Sequence, residues 1–203
     1  IDDIVSHRIH PGTLSFHSFS LLSFAVLREL FPDTENFVVV DVSGVQTEVS
    51  VVKKNVSLET LTFPFGKNHL IHALTEGGLP PSAAESFVKL YGEGSVEGKL
   101  SEKGEKILSR FGDEWLRHFY KALTAFSEEV FLPQTLFLAA DDHVSLLIER
   151  IIQKGDFTQF TLASAPFTVT HMNEVLLAPW LRVNSGVPSD PFISLIALYA
   201  SRL

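Results

Sequence analysis

The 203-residue sequence contains no cysteine. That absence removes disulfides, zinc–thiolate sites and cysteine nucleophiles together, and it fits a reducing cytoplasm. Basic residues are sparse as well, 16 Lys and Arg against 24 Asp and Glu, for a formal net charge of −8. Nucleic-acid binding rests on clustered cations that neutralise phosphates, so this balance argues against a nucleic-acid partner. No apolar run approaches the roughly 18 residues needed to cross a bilayer. Phe192 to Ala200 is among the longest, and Ser194 interrupts it, so no transmembrane segment is expected. The chain opens on Ile1 with no basic stretch and apolar run behind it, which reads as no signal peptide and suggests a piece of something longer. A Walker loop, a nucleophile elbow and a dinucleotide fingerprint are all missing.

What is present is an ordinary folding composition, 45% apolar and 20% charged. Residues 1 to 36 read as a lead-in loop, with Pro11 and Gly12, followed by a helix from Leu14 to Phe31 that Pro32 and Asp33 end. Residues 37 to 203 read as the main domain. Phe37 to Val42 is a continuous apolar run broken only by Asp41, as in a central strand buried on both faces. Thr47 to Lys53 alternates, Lys54 and Asn55 supply a tight turn, and Val56 to Phe63 forms the next strand, so the pattern predicts an antiparallel meander. Short helices are expected at Asn68 to Thr75 and Ser82 to Tyr91, then a long core helix carrying Leu108, Phe111, Trp115, Phe119, Leu123 and Phe126. Thr135 to Ala139 is a buried strand, and Asp141 or Asp142 caps the helix that follows. Phe157 to Leu162 reads as the last sheet strand and Phe192 to Arg202 as a closing helix. Between 163 and 191 the signals blur; this region, including VLLAPWL at Val175 to Leu181, suits an edge strand covering the sheet or an exposed docking surface equally.

The order of these elements resembles the ribonuclease-H-like topology found in each half of the actin-like ATPase superfamily. The segments VVVDVSGVQTEVSVV, FPFGKNHLIHAL and AAESFVKLYGEG are similar to the second half of bacterial actin homologues of the FtsA and PilM group. The last residues, Asp190 to Leu203, resemble the terminal helix of the pilus members of that group. The resemblance implies an α/β fold with a central mixed five-stranded sheet, the meander plus parallel strands, flanked by helices. It covers most of residues 14 to 154 and the last dozen.

The resemblance also implies a nucleotide site that would take ATP and Mg²⁺. Asp41, Gly44 and Thr47 stand in register with the second phosphate motif, Gly66 with the Gly-Gly that opens the following helix, and Glu85 with the helical glutamate that holds the ribose hydroxyls. Glycine lets backbone N–H groups approach phosphate oxygens, a threonine hydroxyl adds a donor, and Asp41 would orient metal-bound water and so is the one catalytic candidate. The sequence departs from the motif at several points. Ser43 and Val45 replace glycines, Gln46 replaces a hydroxyl residue, Lys67 replaces the second glycine and Val88 replaces a ribose lysine. In Leu138 to His143, LAADDH, Asp141 places a carboxylate where the nucleotide would rest.

Plainer roles account for the same residues: Asp41 as a strand-end residue capping its turn, Asp141 and Asp142 as an N-cap and its neighbour, and Glu85 as a charge near a helix start. His69 and His72, like His7 and His10, have ligand spacing but no third partner, so no metal site is expected. Three functions remain open. The first is a cytoplasmic adaptor with a degenerate site and weak or absent ATP hydrolysis. It would recruit protein partners to a membrane-associated machine for cell division or type IV pilus assembly, with homo-oligomers or polymers within reach. The second is a working ATPase. The third is a Mg²⁺-dependent nuclease of the same topology using Asp41, Glu85 and Asp141.

Overall fold

The computed structural model describes residues 17–93, 95, 99–127, 131–162, 164–181 and 190–201. Helix α1 spans Phe19–Leu30, and Ser18 caps it by accepting the Leu21 N–H at 3.2 Å. Three strands follow, β1 (Phe37–Val42), β2 (Thr47–Lys53) and β3 (Val56–Phe63), with the expected bounds. The β2–β3 turn works because Lys54 and Asn55 both adopt positive φ, 49° and 58°, matching the strand twist. Helices α2 (Lys67–Glu76), α3 (Pro81–Gly92) and α4 (Lys99–Ser127) come next, then β4 (Thr135–Ala140) and α5 (Asp142–Lys154). A short β5 (Thr168–His171), a single helical turn α6 (Glu174–Leu177) and α7 (Pro191–Ala200) complete the order.

The sheet runs β3-β2-β1-β4-β5, antiparallel in the meander and parallel from β1 to β5. This is the mixed five-stranded sheet expected from the sequence. β1 lies at its centre, so apolar side chains point both ways from it. Val38, Val40 and Val42 face a core built with α2 to α5, around Trp115, Phe119 and Leu123. Phe37 and Val39 face a second core with α1 and α7, around Leu27, Leu195 and Leu198. Layers of helix on both faces are what a parallel sheet centre requires.

One sequence expectation fails, and one of two open alternatives is met at a place the sequence did not single out. Phe157 to Leu162 is not a strand: Asp156 accepts the Thr158 N–H at 3.1 Å and its hydroxyl at 2.6 Å, which bends the chain into a 3-10 turn at Thr158–Phe160. Phe157 and Phe160 are core residues all the same, and the last strand is β5 instead. The region 163 to 191 does supply an edge strand, but it is β5 at Thr168–His171, and Val175 to Leu181 is not part of it. Asn173 caps α6 by accepting the Leu176 N–H, Leu177 is buried, and Val175 and Trp180 are exposed. The expected lead-in loop, residues 1 to 13, lies outside the described residues, as do Leu14 at the start of the first expected helix and Arg202 at the end of the last.

Candidate nucleotide station

The carboxyl ends of β1 and β4 lie side by side, with Asp41 opposite Ala139. In open α/β sheets this end is where ligands are bound. The structure builds the region from three parts: the β1–β2 hairpin, the start of α2, and the start of α5.

The hairpin turns through Gly44 and Val45, closed by the Ser43 N–H donating to the Gln46 carbonyl at 3.0 Å. The Ser43 hydroxyl donates to that carbonyl and accepts the Gln46 N–H. Ser43, not Asp41, therefore caps the turn, which corrects the plain reading of Asp41. The Asp41 side chain lies on the α1/α7 face, two residues along from Val39, and its Oδ1 is buried without a hydrogen-bond partner. Burial raises its pKa to about 7, helped by the charge of Glu48, its cross-strand neighbour.

Thr47 points to the opposite face, fully buried. Its hydroxyl donates to the Phe65 carbonyl at 2.6 Å and accepts the Trp115 indole N–H at 3.0 Å. Both of its strong contacts are internal. Gly66 sits against the hairpin so closely that a Cβ there would meet Ser43 O at 2.5 Å, Gln46 N at 2.7 Å and Gly44 O at 2.8 Å. Because the backbones touch, the Ser43 and Gly44 carbonyls accept the Lys67 and Asn68 N–H groups at 2.9 and 2.7 Å. The first donors of α2, normally free to receive an anion, are capped by the hairpin itself. His69 completes the cap, its Nδ1 accepting the Gly66 N–H and its ring stacking on Phe65.

Asp141 occupies the N-cap position of α5 but its carboxylate does not cap the helix. It pairs instead with the Lys67 ammonium, bridging the start of α2 to the start of α5. A cavity of about 100 Å³ adjoins the pair, lined by Glu85, Val88 and His143 among others. Gly44, Thr47 and Gly66 thus form one cluster, Glu85 joins it only across the Lys67–Asp141 pair, and Asp41 lies on the other face of the sheet. Sequence reasoning noted Lys67 as a replacement for glycine but missed its partner. The two residues are 74 apart in the chain, and only the opposite charges of two departures from one motif hinted at the pairing. Among the described residues no three His, Asp or Glu side chains are gathered to hold a metal ion. His72 faces Glu76 on its own helix, and His7 and His10 lie outside the described residues.

No family model and no curated protein matches the chain. Solved structures do. PilM in the PilM–PilN type IV pilus biogenesis complex superposes with a TM-score of 0.61 at 16% identity, over 95% of this chain and 53% of that one. An archaeal actin homologue superposes with a TM-score of 0.52 at 14% identity, over 89% of this chain and 54% of that one. The chain spans about half the length of each. At this identity the likeness establishes the fold alone, that of an actin-like subdomain, as the sequence resemblance implied. No helix among the described residues is long and apolar enough to cross a membrane.

Proposed function

We propose that this chain is the second half of an actin-like protein of the FtsA and PilM group whose nucleotide station is closed by its own side chains. In this reading it works by binding protein partners at a membrane-associated assembly, from the cytoplasmic side, and does not turn over ATP. The observation that carries the proposal is the Lys67–Asp141 pair, which lies across the carboxyl ends of the central parallel strands. An ammonium and a carboxylate already neutralise each other there, and Mg-ATP would have to displace a formed ion pair and bring its own negative charge toward Asp141. The capped start of α2 and the engaged Thr47 hydroxyl add to the misfit. The presence of PilM in a pilus biogenesis complex with PilN favours pilus assembly over division as the machine served.

A second reading, retained nucleotide binding, draws on the hairpin tip. Among the described residues the Gly44 and Val45 N–H groups reach no backbone acceptor, and two successive amides are the element that cradles phosphate. Calorimetric titration of Mg-ATP into the protein separates the two readings. The expected result is no saturable heat at millimolar nucleotide. Saturable binding would replace the closed-station reading with one in which the hairpin tip still holds nucleotide.

A further inference from the structure

Among the described residues the sheet ends on one side at β3, which pairs there with β2 alone. Which of its backbone groups face outward follows from the hairpin. The Ser43–Gln46 hydrogen bond makes Asp41/Glu48 and Val39/Ser50 the hydrogen-bonded pairs of β1 and β2. Thr47, Val49 and Val51 then turn their N–H and C=O groups toward Phe63, Leu61 and Glu59 of β3. The residues between, Thr60 and Thr62, direct theirs away from the sheet, and both are exposed. The contact of the Ser50 and Thr60 hydroxyls at 2.8 Å agrees, since side chains approach most closely in non-hydrogen-bonded pairs. A register shift between Val51 and Val52 interrupts the regular edge before Glu59, and Pro64, which has no N–H, ends it after Phe63. The regular edge is Glu59 to Phe63, centred on Leu61.

We propose that this edge joins two copies of the chain, antiparallel, about a two-fold axis through Leu61. In that register Thr60 of one copy faces Thr62 of the other, twice, and the two pairs form about four backbone hydrogen bonds. Leu61 meets Leu61 on the axis. Glu59 faces Phe63, so no like charges meet, whereas a slide of two residues toward Glu59 would set Glu59 against Glu59, a destabilising pair. A smaller slide in that direction runs into the bulge, and a slide the other way brings in Pro64. Only the Leu61-centred register keeps every paired residue within the regular edge. The stretch itself contains no lysine and no proline, the residues that usually block such pairing. The sheet of the pair would be continuous through both copies.

The absence of cysteine makes the test clean. Leu61→Cys sets two thiols opposite each other in a non-hydrogen-bonded pair, the geometry that admits a disulfide. Under mild oxidation it should cross-link into dimers about tenfold faster than Val45→Cys, whose side chain is exposed at the tip of the β1–β2 hairpin, outside the paired edge, because the edge holds the two thiols together. Sedimentation velocity should show a concentration-dependent dimer that Thr62→Lys abolishes. This lysine lies beside Glu48 of its own chain, so the fold is retained while the edge gains a blocking charge. Equal cross-linking rates for the two cysteine variants, together with one sedimentation pattern for wild type and Thr62→Lys, would overturn the proposal.

Discussion

Asp41 shows how a single residue reads differently in sequence and in structure. Its place at the end of a buried strand was legible, because a lone carboxylate in FVVVDV stands out. Its partners were not, since nothing local says that Ser43 closes the turn and leaves Asp41 Oδ1 unmatched. The consequence is a pH effect whose sign is the reverse of the usual carboxylate. With a folded pKa near 7 against the ordinary carboxyl value of 3.8, the folded state holds a proton that the unfolded state releases between those values. Stability should therefore fall as pH rises from about 4 through 7, and the loss is complete only above the folded pKa. Asp41→Asn removes the cost of burying that charge. Urea denaturation should find the variant more stable than wild type by up to about 4 kcal/mol at pH 8 and similar to it near pH 4. A constant difference across that range would mean Asp41 is not held protonated. Gly66 makes a second residue-scale case. Its φ of −130° is open to any residue, so only space excludes a side chain, and the obstacles are three backbone atoms. Gly66→Ala should cost about 3 kcal/mol of unfolding free energy. Gly44→Ala, which meets only the movable Asn68 side chain, should cost less than about 1 kcal/mol. Equal urea midpoints for the two variants would show that the hairpin yields.

At the scale of elements, legibility followed the strength of the local signal. β1, β2 and β3 were placed to the residue because a continuous apolar run, an alternating run and an Asn-containing turn each leave one reading. The long α4 was legible through its Phe and Trp positions, which do line the core. β5 was legible only as one of two readings for 163 to 191, because TVTH is short, partly exposed and without an apolar run; its strand conformation comes from pairing with β4, a tertiary cause. Phe157 to Leu162 was misread for the opposite reason. Its aromatic and threonine residues have strand propensity, but the Asp156 carboxylate captures the backbone first. The station divides the same way: the hairpin and helix starts that carry it were legible as segments, while the closure across them depends on two side chains brought together by the sheet order.

For the whole molecule, the sheet is the wall between two cores, and its central strands contribute to both. Val38 and Val40 belong to the core under α2 to α5, Phe37 and Val39 to the core under α1 and α7. Neither layer can loosen without stripping one face of β1 and β4, so the two cores should unfold together. α7 provides the test because it lies farthest in sequence from the meander and its inner face is narrow. Leu195 is fully buried and Ile196 is half exposed. Leu195→Ala should cost about 3 kcal/mol, through lost burial and the cavity left behind, and Ile196→Ala less than about 1 kcal/mol. The decisive reading is which probe reports the loss. Trp115 lies in the other core, across the sheet from Leu195. With Trp180→Phe in both proteins to leave Trp115 as the sole indole, and if the cores are one cooperative unit, the Trp115 fluorescence transition of Leu195→Ala shifts by the same amount as its far-ultraviolet circular dichroism transition. A Trp115 transition that stays at the wild-type midpoint while helical signal is lost earlier would mean that α1 and α7 form a separately melting layer.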